Sequence, residues 1–169
     1  MKPLRVVHVV RRYGPVGGME RYVWETTCAM ACLGAKVTVL CEALHAPAPD
    51  GIDVHQLGRI AQRPRWVSLL RFSRRARQWL DLTHGTDRIV HSHERLGVHD
   101  ITTFHGPPFA TIFEREWWRR VSIRVAAQLW MERREVCARP VRLVVPVSEL
   151  IRNQLTYYYP CIGERMANP

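Results

Sequence analysis

Leu4-Arg5-Val6-Val7-His8-Val9-Val10 is followed by Arg11-Arg12-Tyr13-Gly14-Pro15-Val16-Gly17-Gly18, then by Met19 to Leu33, Gly34, and Lys36-Val37-Thr38-Val39-Leu40-Cys41. The first run is short, nearly all apolar and rich in β-branched residues. That is the pattern of a strand buried on both faces of a parallel sheet. The glycines and proline after it spell a loop. Met19, Tyr22, Val23, Thr26, Met30 and Leu33 recur at helical spacing, and Gly34 stops the helix. Lys36 to Cys41 repeats the buried-strand pattern. Strand, glycine loop, helix, strand is a βαβ unit with a right-handed crossover.

The alternation continues outward from this unit. Val54 to Leu57 reads as a short strand, Trp66 to Leu82 as a helix, and Arg88 to His91 and Ile101 to Phe104 as strands. Phe113 to Ala138 has no Gly or Pro and reads as one helix or two. Leu143 to Val147 is a last strand, and Ser148 caps the helix that Glu149 opens. Strands alternating with helices predict an α/β fold: a Rossmann-like open parallel sheet with helices on both faces, spanning residues 1–160. Pro160 to Pro169 shows no periodicity, and residues 161–169 read as the start of an interdomain linker or a disordered tail.

The 169 residues are 47% hydrophobic and 24% charged, the mixture of one soluble globular domain and not of a disordered or collagen-like chain. No apolar run approaches the ~20 residues that cross a bilayer. Met1-Lys2-Pro3 leads into a run too short and interrupted for a signal-peptide core, so a cytoplasmic location is expected. The five cysteines form no Cys-x-x-Cys pair and read as small hydrophobes in a reducing compartment. The net charge of +10 is almost all arginine. Such a surface attracts nucleic acid, anionic lipid or phosphorylated small molecules, and charge alone does not choose.

In open parallel sheets, ligands bind beyond the carboxyl ends of the strands. After the first strand lies Gly14-Pro15-Val16-Gly17-Gly18-Met19-Glu20, whose paired glycines admit close approach and whose helix N-terminus favours an anion. It is not the dinucleotide G-x-G-x-x-G and carries no Walker lysine, and a plain strand–helix turn accounts for it as well. Ser92-His93-Glu94-Arg95 and His105-Gly106-Pro107-Pro108 follow later strands. Histidines there donate to a sugar hydroxyl or phosphate, act as acid or base, or merely satisfy loop backbone. His91 and His93 are expected to alternate in facing. A zinc site from His91, His93 and His105 is possible on residue type, but nothing in their spacing demands it.

On the helix from Trp66, the residues Trp66, Leu69, Leu70, Ala76 and Leu80 form an apolar stripe. Arg71, Arg74, Arg75 and Arg77 crowd the other side, with Arg63 and Arg65 leading in. Arg65, Trp66, Arg71, Arg74, Arg75 and Trp79 suit an anionic membrane surface, or simply a solvated charged face over a core face. Trp117-Trp118-Arg119-Arg120 repeats that chemistry, which also suits stacking on single-stranded nucleic acid.

Taken together, Val6-Val7-His8-Val9 with the Gly-Gly-Met-Glu loop, Arg88 to His93, Thr103-Phe104-His105-Gly106 and Val145-Pro146-Val147-Ser148-Glu149 resemble the N-terminal domain of a GT-B glycosyltransferase of family 4. The resemblance implies a retaining enzyme that needs no metal or cofactor and moves a sugar from a nucleotide-sugar donor to a lipid-linked or polysaccharide acceptor. It implies that Gly17 and Gly18 sit against the donor diphosphate and the acceptor. It puts His105 beside the transferred sugar as the catalytic residue, His93 and Glu94 on the acceptor side, and Glu20 and Gly106 among the other substrate-binding residues. The glycine pair and His105 are then expected to line one crevice. In lipid-modifying members of the family the basic helix docks on membrane, so a peripheral place on its inner face is expected.

The residues that grip the donor lie, in this family, in a C-terminal domain that this sequence does not contain. The missing half is expected in cis or in trans, and the chain alone is expected to be inactive. The alternative is a non-catalytic basic α/β module binding nucleic acid or other phosphorylated ligands, and the resemblance makes nucleic acid unlikely. A complete flavodoxin-like enzyme is disfavoured, because the loop lacks a Ser/Thr-rich phosphate cradle.

Overall fold

The computed structural model describes residues 3–60, 63–83, 87–115 and 122–169, the side chain of Arg115 excepted. The chain divides into two compact units, Met1–Glu94 and Arg95–Pro169.

The first unit runs β1 (Arg5–Val9), β2 (Arg12–Tyr13), α1 (Gly18–Cys32), β3 (Lys36–Cys41), β4 (Ala43–Leu44), β5 (Ile52–Gln56), α2 (Arg65–Leu82) and β6 (Ile89–Ser92). β1 pairs with β3 and β6, and β3 with β5, all parallel, giving the order β5-β3-β1-β6. The chain therefore steps from β1 outward through β3 to β5, then returns past β1 to β6. Right-handed crossovers in opposite directions place α1 and α2 on opposite faces. The reversal beside β1 is the topological switch point, where a parallel sheet opens a crevice at its carboxyl edge.

The α1 face is a packed core of Val23 with Val10, Tyr13, Val37, Val39, Cys41 and Ile52. On α2, Leu69, Phe72, Ala76 and Leu80 are buried at spacings of three and four residues. Trp66 and Leu70, expected in that stripe, are only half-buried, and Phe72, which the stripe as read omitted, is its best-buried aromatic. β2 and β4 pair with each other outside the main sheet. Two residues are too few to leave a periodicity, so neither was expected.

The second unit contains β7 (Ile101–Phe104), a 3-10 turn at Phe109–Thr111, α3 (Ile112–Arg115), α4 (Ile123–Cys137), β8 (Leu143–Pro146) and α5 (Glu149–Tyr158). β7 and β8 are parallel neighbours. Phe104, Val136, Val144, Ile151, Leu155 and Ile162 close its core. The expected cap forms: Ser148 Oγ accepts from the Ile151 N–H at 3.4 Å. The segment read as one helix or two holds α3 and α4, while Trp117, Trp118, Arg119 and Arg120 lie outside the described residues.

Pro160–Arg165, where the sequence shows no periodicity, winds into 3-10 turns. Met166 then bridges Val144, and the Ala167 N–H donates to the Val144 carbonyl at 2.9 Å. This short bridge, with Ile162 buried, holds the tail without any repeat to announce it. The reading of five unpaired thiols is corrected here. The end of α4 and the turn after α5 bring Cys137 and Cys161 to a Cα–Cα distance of 5.9 Å, and they form a disulfide. Of the others, Cys41 is buried, Cys28 half-buried and Cys32 exposed.

Candidate substrate-binding site

β1 and β6 end side by side, and their last residues build the site. The His93 N–H donates to the Val9 carbonyl at 2.9 Å, carrying the ladder one step past Ser92. Beyond it, the Arg11 N–H donates to Glu94 Oε1 at 3.2 Å, tying the loop after β1 to the loop after β6. The Arg11 side chain faces the other loops. Its guanidinium donates to Glu42 Oε2 at 2.7 Å and to Ser68 Oγ on α2 at 2.8 Å. Glu42 Oε1 in turn accepts from the Ile60 N–H at 3.0 Å. One arginine thus braces the segments that follow β1, β3, β5 and β6. Charge-assisted hydrogen bonds of this kind are the strong ones, and here they rigidify a rim made of loops.

The glycine loop enters the same rim. Gly17 caps α1 with extended backbone and no side-chain hydrogen bond, so the first-turn N–H groups of α1 have no side-chain cap. Glu20 reaches back over it: a Cβ at Gly17 would collide with the Glu20 carboxylate. Gly17 is therefore favoured by closeness to Glu20, whose carboxylate would have to move aside for a Cβ, and not by its dihedral angles. Glu20 is buried and ion-paired with Arg12, and as an acidic group in the first turn it complements the helix dipole. Beside Gly18 there is open space.

Burial pushes the Glu94 carboxyl up to about 7. The Arg11 N–H and charge oppose the shift, and Glu20 adds to it. Glu94 can therefore take or give a proton near neutrality, the property required of a general acid or base.

Gly17, Gly18, Glu20, His93 and Glu94 are thus brought together at the carboxyl ends of β1 and β6. His93 is buried, its ring against those of His8 and His91 and 6.0 Å from that of Tyr22. The expected alternation of His91 and His93 is corrected. Residues two apart on a strand share a face, and their ring centroids lie 4.3 Å apart. His105 and Gly106 belong to the second unit, directly after β7. His105 is half-buried, and a Cβ at Gly106 would meet nothing.

On α2, Arg65, Arg71, Arg74 and Arg77 are exposed. Arg75 is exposed too, but it donates to the carbonyls of Leu57 and Gly58 at 2.9 and 3.0 Å, holding the chain after β5. Trp79 is half-buried, with its ring 4.9 Å from that of His55 and the Arg88 guanidinium 5.9 Å from its centre. Sequence reasoning missed Arg11, Glu42 and Ser68. The available signal was that Arg11 and Glu42 fall just past β1 and β3, the positions that face a crevice.

A family model, Glycosyltransferase Family 4, matches residues 16–167. The chain belongs to glycosyltransferase family 4. Among solved structures it is similar to WaaG, a glycosyltransferase involved in lipopolysaccharide biosynthesis, with a TM-score of 0.81 at 15% identity. That match covers 96% of this chain and 44% of WaaG. It is also similar to a sucrose-phosphate synthase from Thermosynechococcus elongatus, with a TM-score of 0.65, 12% identity, and 97% and 47% coverage of the two chains. A glycosyltransferase from Rickettsia africae matches with a TM-score of 0.52, 14% identity, and 99% and 42% coverage. No curated protein matches the sequence. The fold is that of one half of a GT-B enzyme, and the chain spans less than half the length of these three structures. Among the described residues, no helix is long and apolar enough to cross a membrane.

Proposed function

We propose that this chain is the acceptor-side half of a retaining glycosyltransferase that moves a sugar from a nucleotide-sugar donor to a lipid-linked or polysaccharide acceptor. One observation carries the reading. In a chain of family 4, the glycine loop, the start of α1 and the Glu94 carboxyl converge at the switch point of a parallel sheet. The α1 N–H groups offer donors to a phosphate or hydroxyl, and the open space at Gly18 admits the ligand. Glu94, braced through Arg11, accepts a hydroxyl hydrogen bond and holds a proton near neutral pH. His105 hydrogen-bonds a hydroxyl of the transferred sugar, the role its resemblance implies. Stabilising the leaving diphosphate is the main catalytic contribution and needs no metal step. It falls to the half supplied in cis or in trans.

The test uses saturation-transfer NMR on the 169-residue chain with a panel of sugar nucleotides, lipid-linked sugar analogues, free saccharides and an oligonucleotide. Saccharide signals are expected. They should vanish in Gly18→Trp, whose side chain fills space that is empty and leaves the core alone. No sugar nucleotide should be turned over by the chain by itself. Turnover, or tight oligonucleotide binding that weakens steeply with salt and no saccharide signal, would overturn the reading.

The same reading puts α2 on an anionic membrane at its cytoplasmic side. Arg71 and Arg74 lie one turn apart on its exposed face. With ~1 kcal/mol per arginine near an anionic surface, Arg71→Ala with Arg74→Ala should weaken partitioning into phosphatidylglycerol vesicles about 30-fold. Sedimentation with vesicles measures it, and neutral phosphatidylcholine vesicles should bind neither form. Arg75 is left intact in this test because it holds backbone carbonyls.

A further inference from the structure

The sequence reading expected no metal, and it grouped His91 and His93 with His105. Sheet register makes a different group. His8 of β1 is the direct parallel partner of His91 of β6, and His93 lies two residues on, one past the end of that strand, where its N–H still donates to the Val9 carbonyl. Paired residues of parallel neighbours share a face, as do residues two apart. All three imidazoles therefore project from one face of the sheet. Val39 is the partner of His8 on β3 and belongs to the core that Val23 of α1 completes, so this is the α1 face.

The rings are close. Centroids are 4.9 Å apart for His8 and His91, 5.4 Å for His8 and His93, and 4.3 Å for His91 and His93. His8 Nδ1 and His93 Nε2 lie 3.1 Å apart. One nitrogen of each ring falls within 4.8 Å of the other two. A tetrahedral ion with metal–nitrogen bonds of about 2.0–2.1 Å needs nitrogens about 3.3 Å apart. The His8–His93 edge already has that length. His91 is the half-buried member, and its ligand nitrogen lies within 4.8 Å of the other two.

Hydrogen bonding accounts for only one nitrogen of His8, because Nδ1 shares a hydrogen bond with His93 Nε2. The His8 side chain is wholly buried between valines, and its Nε2 has no hydrogen-bond partner. An unsatisfied buried polar group is costly, and a leucine or valine at this strand position would avoid that cost. Ligation is a use for a buried imidazole that apolar packing cannot supply.

We propose that His8, His91 and His93 form a three-imidazole site for a divalent transition-metal ion of the zinc class. Imidazole nitrogen suits zinc, cobalt, nickel and copper and not magnesium or calcium. Among the described residues, no further His, Cys, Asp or Glu joins the group, so the fourth position is left to water or a small ligand. The ion fastens β1 to β6 where the strand order reverses, one residue before Glu94. This inference does not rest on the sugar-transfer reading, and its test reads neither sugar binding nor transfer.

The test is titration of the untagged, metal-stripped full chain with Co2+, followed by visible absorption. One equivalent should bind with the intense d–d bands of four-coordination, and Zn2+ should displace it. His91→Gln and His93→Gln should each weaken binding at least about tenfold, while His55→Gln, away from the cluster, should not. Zn2+ should raise the melting temperature of the unsubstituted chain and not of the double variant. No binding at millimolar Co2+, or unchanged binding in a double variant with native circular dichroism, overturns the proposal. Should the variants not fold, the long-range 1H–15N imidazole spectrum of the unsubstituted chain decides. The ring nitrogens of these three histidines must shift on adding Zn2+, and unmoved signals also overturn it.

Discussion

Glu132→Ala should cost about 4–6 kcal/mol, a large share of the 5–15 kcal/mol that holds an ordinary domain together. Glu132 lies on α4 with no exposed surface. Its carboxylate accepts from the backbone N–H groups of Phe109 and Ala110 at 2.6 and 3.1 Å. It also accepts from the Tyr159 phenol at 2.7 Å and from the Arg95 guanidinium at 2.8 Å. One side chain thus joins the turn after β7, the helix α4 and the residue after α5. Removing it breaks a part-buried ion pair, a change worth at most about 3–5 kcal/mol because Arg95 keeps some solvent and the Glu135 carboxylate 4.0 Å away, and leaves further donors without an acceptor at about 1–3 kcal/mol each, less what relaxation recovers. Gln128, which accepts from Arg95 at 2.5 Å, keeps that guanidinium partly satisfied and limits the loss. Glu132→Gln keeps one acceptor oxygen but turns an amide N–H2 toward donors, so it should fall about midway. Urea titration followed by far-ultraviolet circular dichroism gives the three midpoints. A loss under about 1 kcal/mol in Glu132→Ala would mean that the network contributes nothing beyond local packing.

The parts of the fold legible in the sequence are those held by local pattern. Val6 to Val10 and Val37 to Cys41 are nearly continuous apolar runs because both faces of their strands are covered. Met19 to Leu33 was legible as a helix, although of its spaced residues only Val23 is buried and Tyr22 and Leu33 are exposed; the buried face is Glu20, Val23 and Thr27. The strand ends were legible too, since a glycine-bearing loop, His93-Glu94 and His105-Gly106 lie at or shortly after the ends of apolar runs. What escaped depends on partners far apart in the chain. Arg11 meets Glu42 and Ser68 across 31 and 57 residues, and no local periodicity carries that information. Cys137 and Cys161, 24 residues apart, meet only once α4 and α5 have folded. His8 looked like an interruption in a valine run. Its proximity to His91 is a fact of register between β1 and β6, which the order of the strands fixes and their composition does not. The same ignorance of register let His105 take a place in the histidine group that belongs to His8.

Acid should act on the second unit through His99. This imidazole is buried, and its Nε2–H donates to the Glu135 carbonyl at 2.9 Å while Nδ1 has no partner. Burial holds its pKa down at about 4, from an ordinary 6.5, against the smaller upward pulls of the Glu135 carbonyl and Asp100. In the unfolded chain the group takes a proton as the pH falls through 6.5, whereas in the folded chain it stays neutral until about 4. Between those values the unfolded state binds one proton more, so stability must fall as the pH falls. At 1.36 kcal/mol per pH unit, the loss approaches about 3 kcal/mol by pH 4. His99→Gln preserves an N–H for the Glu135 carbonyl, gives up nothing at Nδ1 and cannot titrate. The urea midpoints of the two proteins should therefore differ little at pH 7.5 and separate progressively below 6.5, with the glutamine form the more stable at pH 4.5. Other groups that titrate in this range cancel in the difference between the two curves. Parallel curves from pH 7.5 to 4.5 would show that His99 accepts its proton in the folded chain as readily as in the unfolded one, and that its burial imposes no penalty on the charged ring.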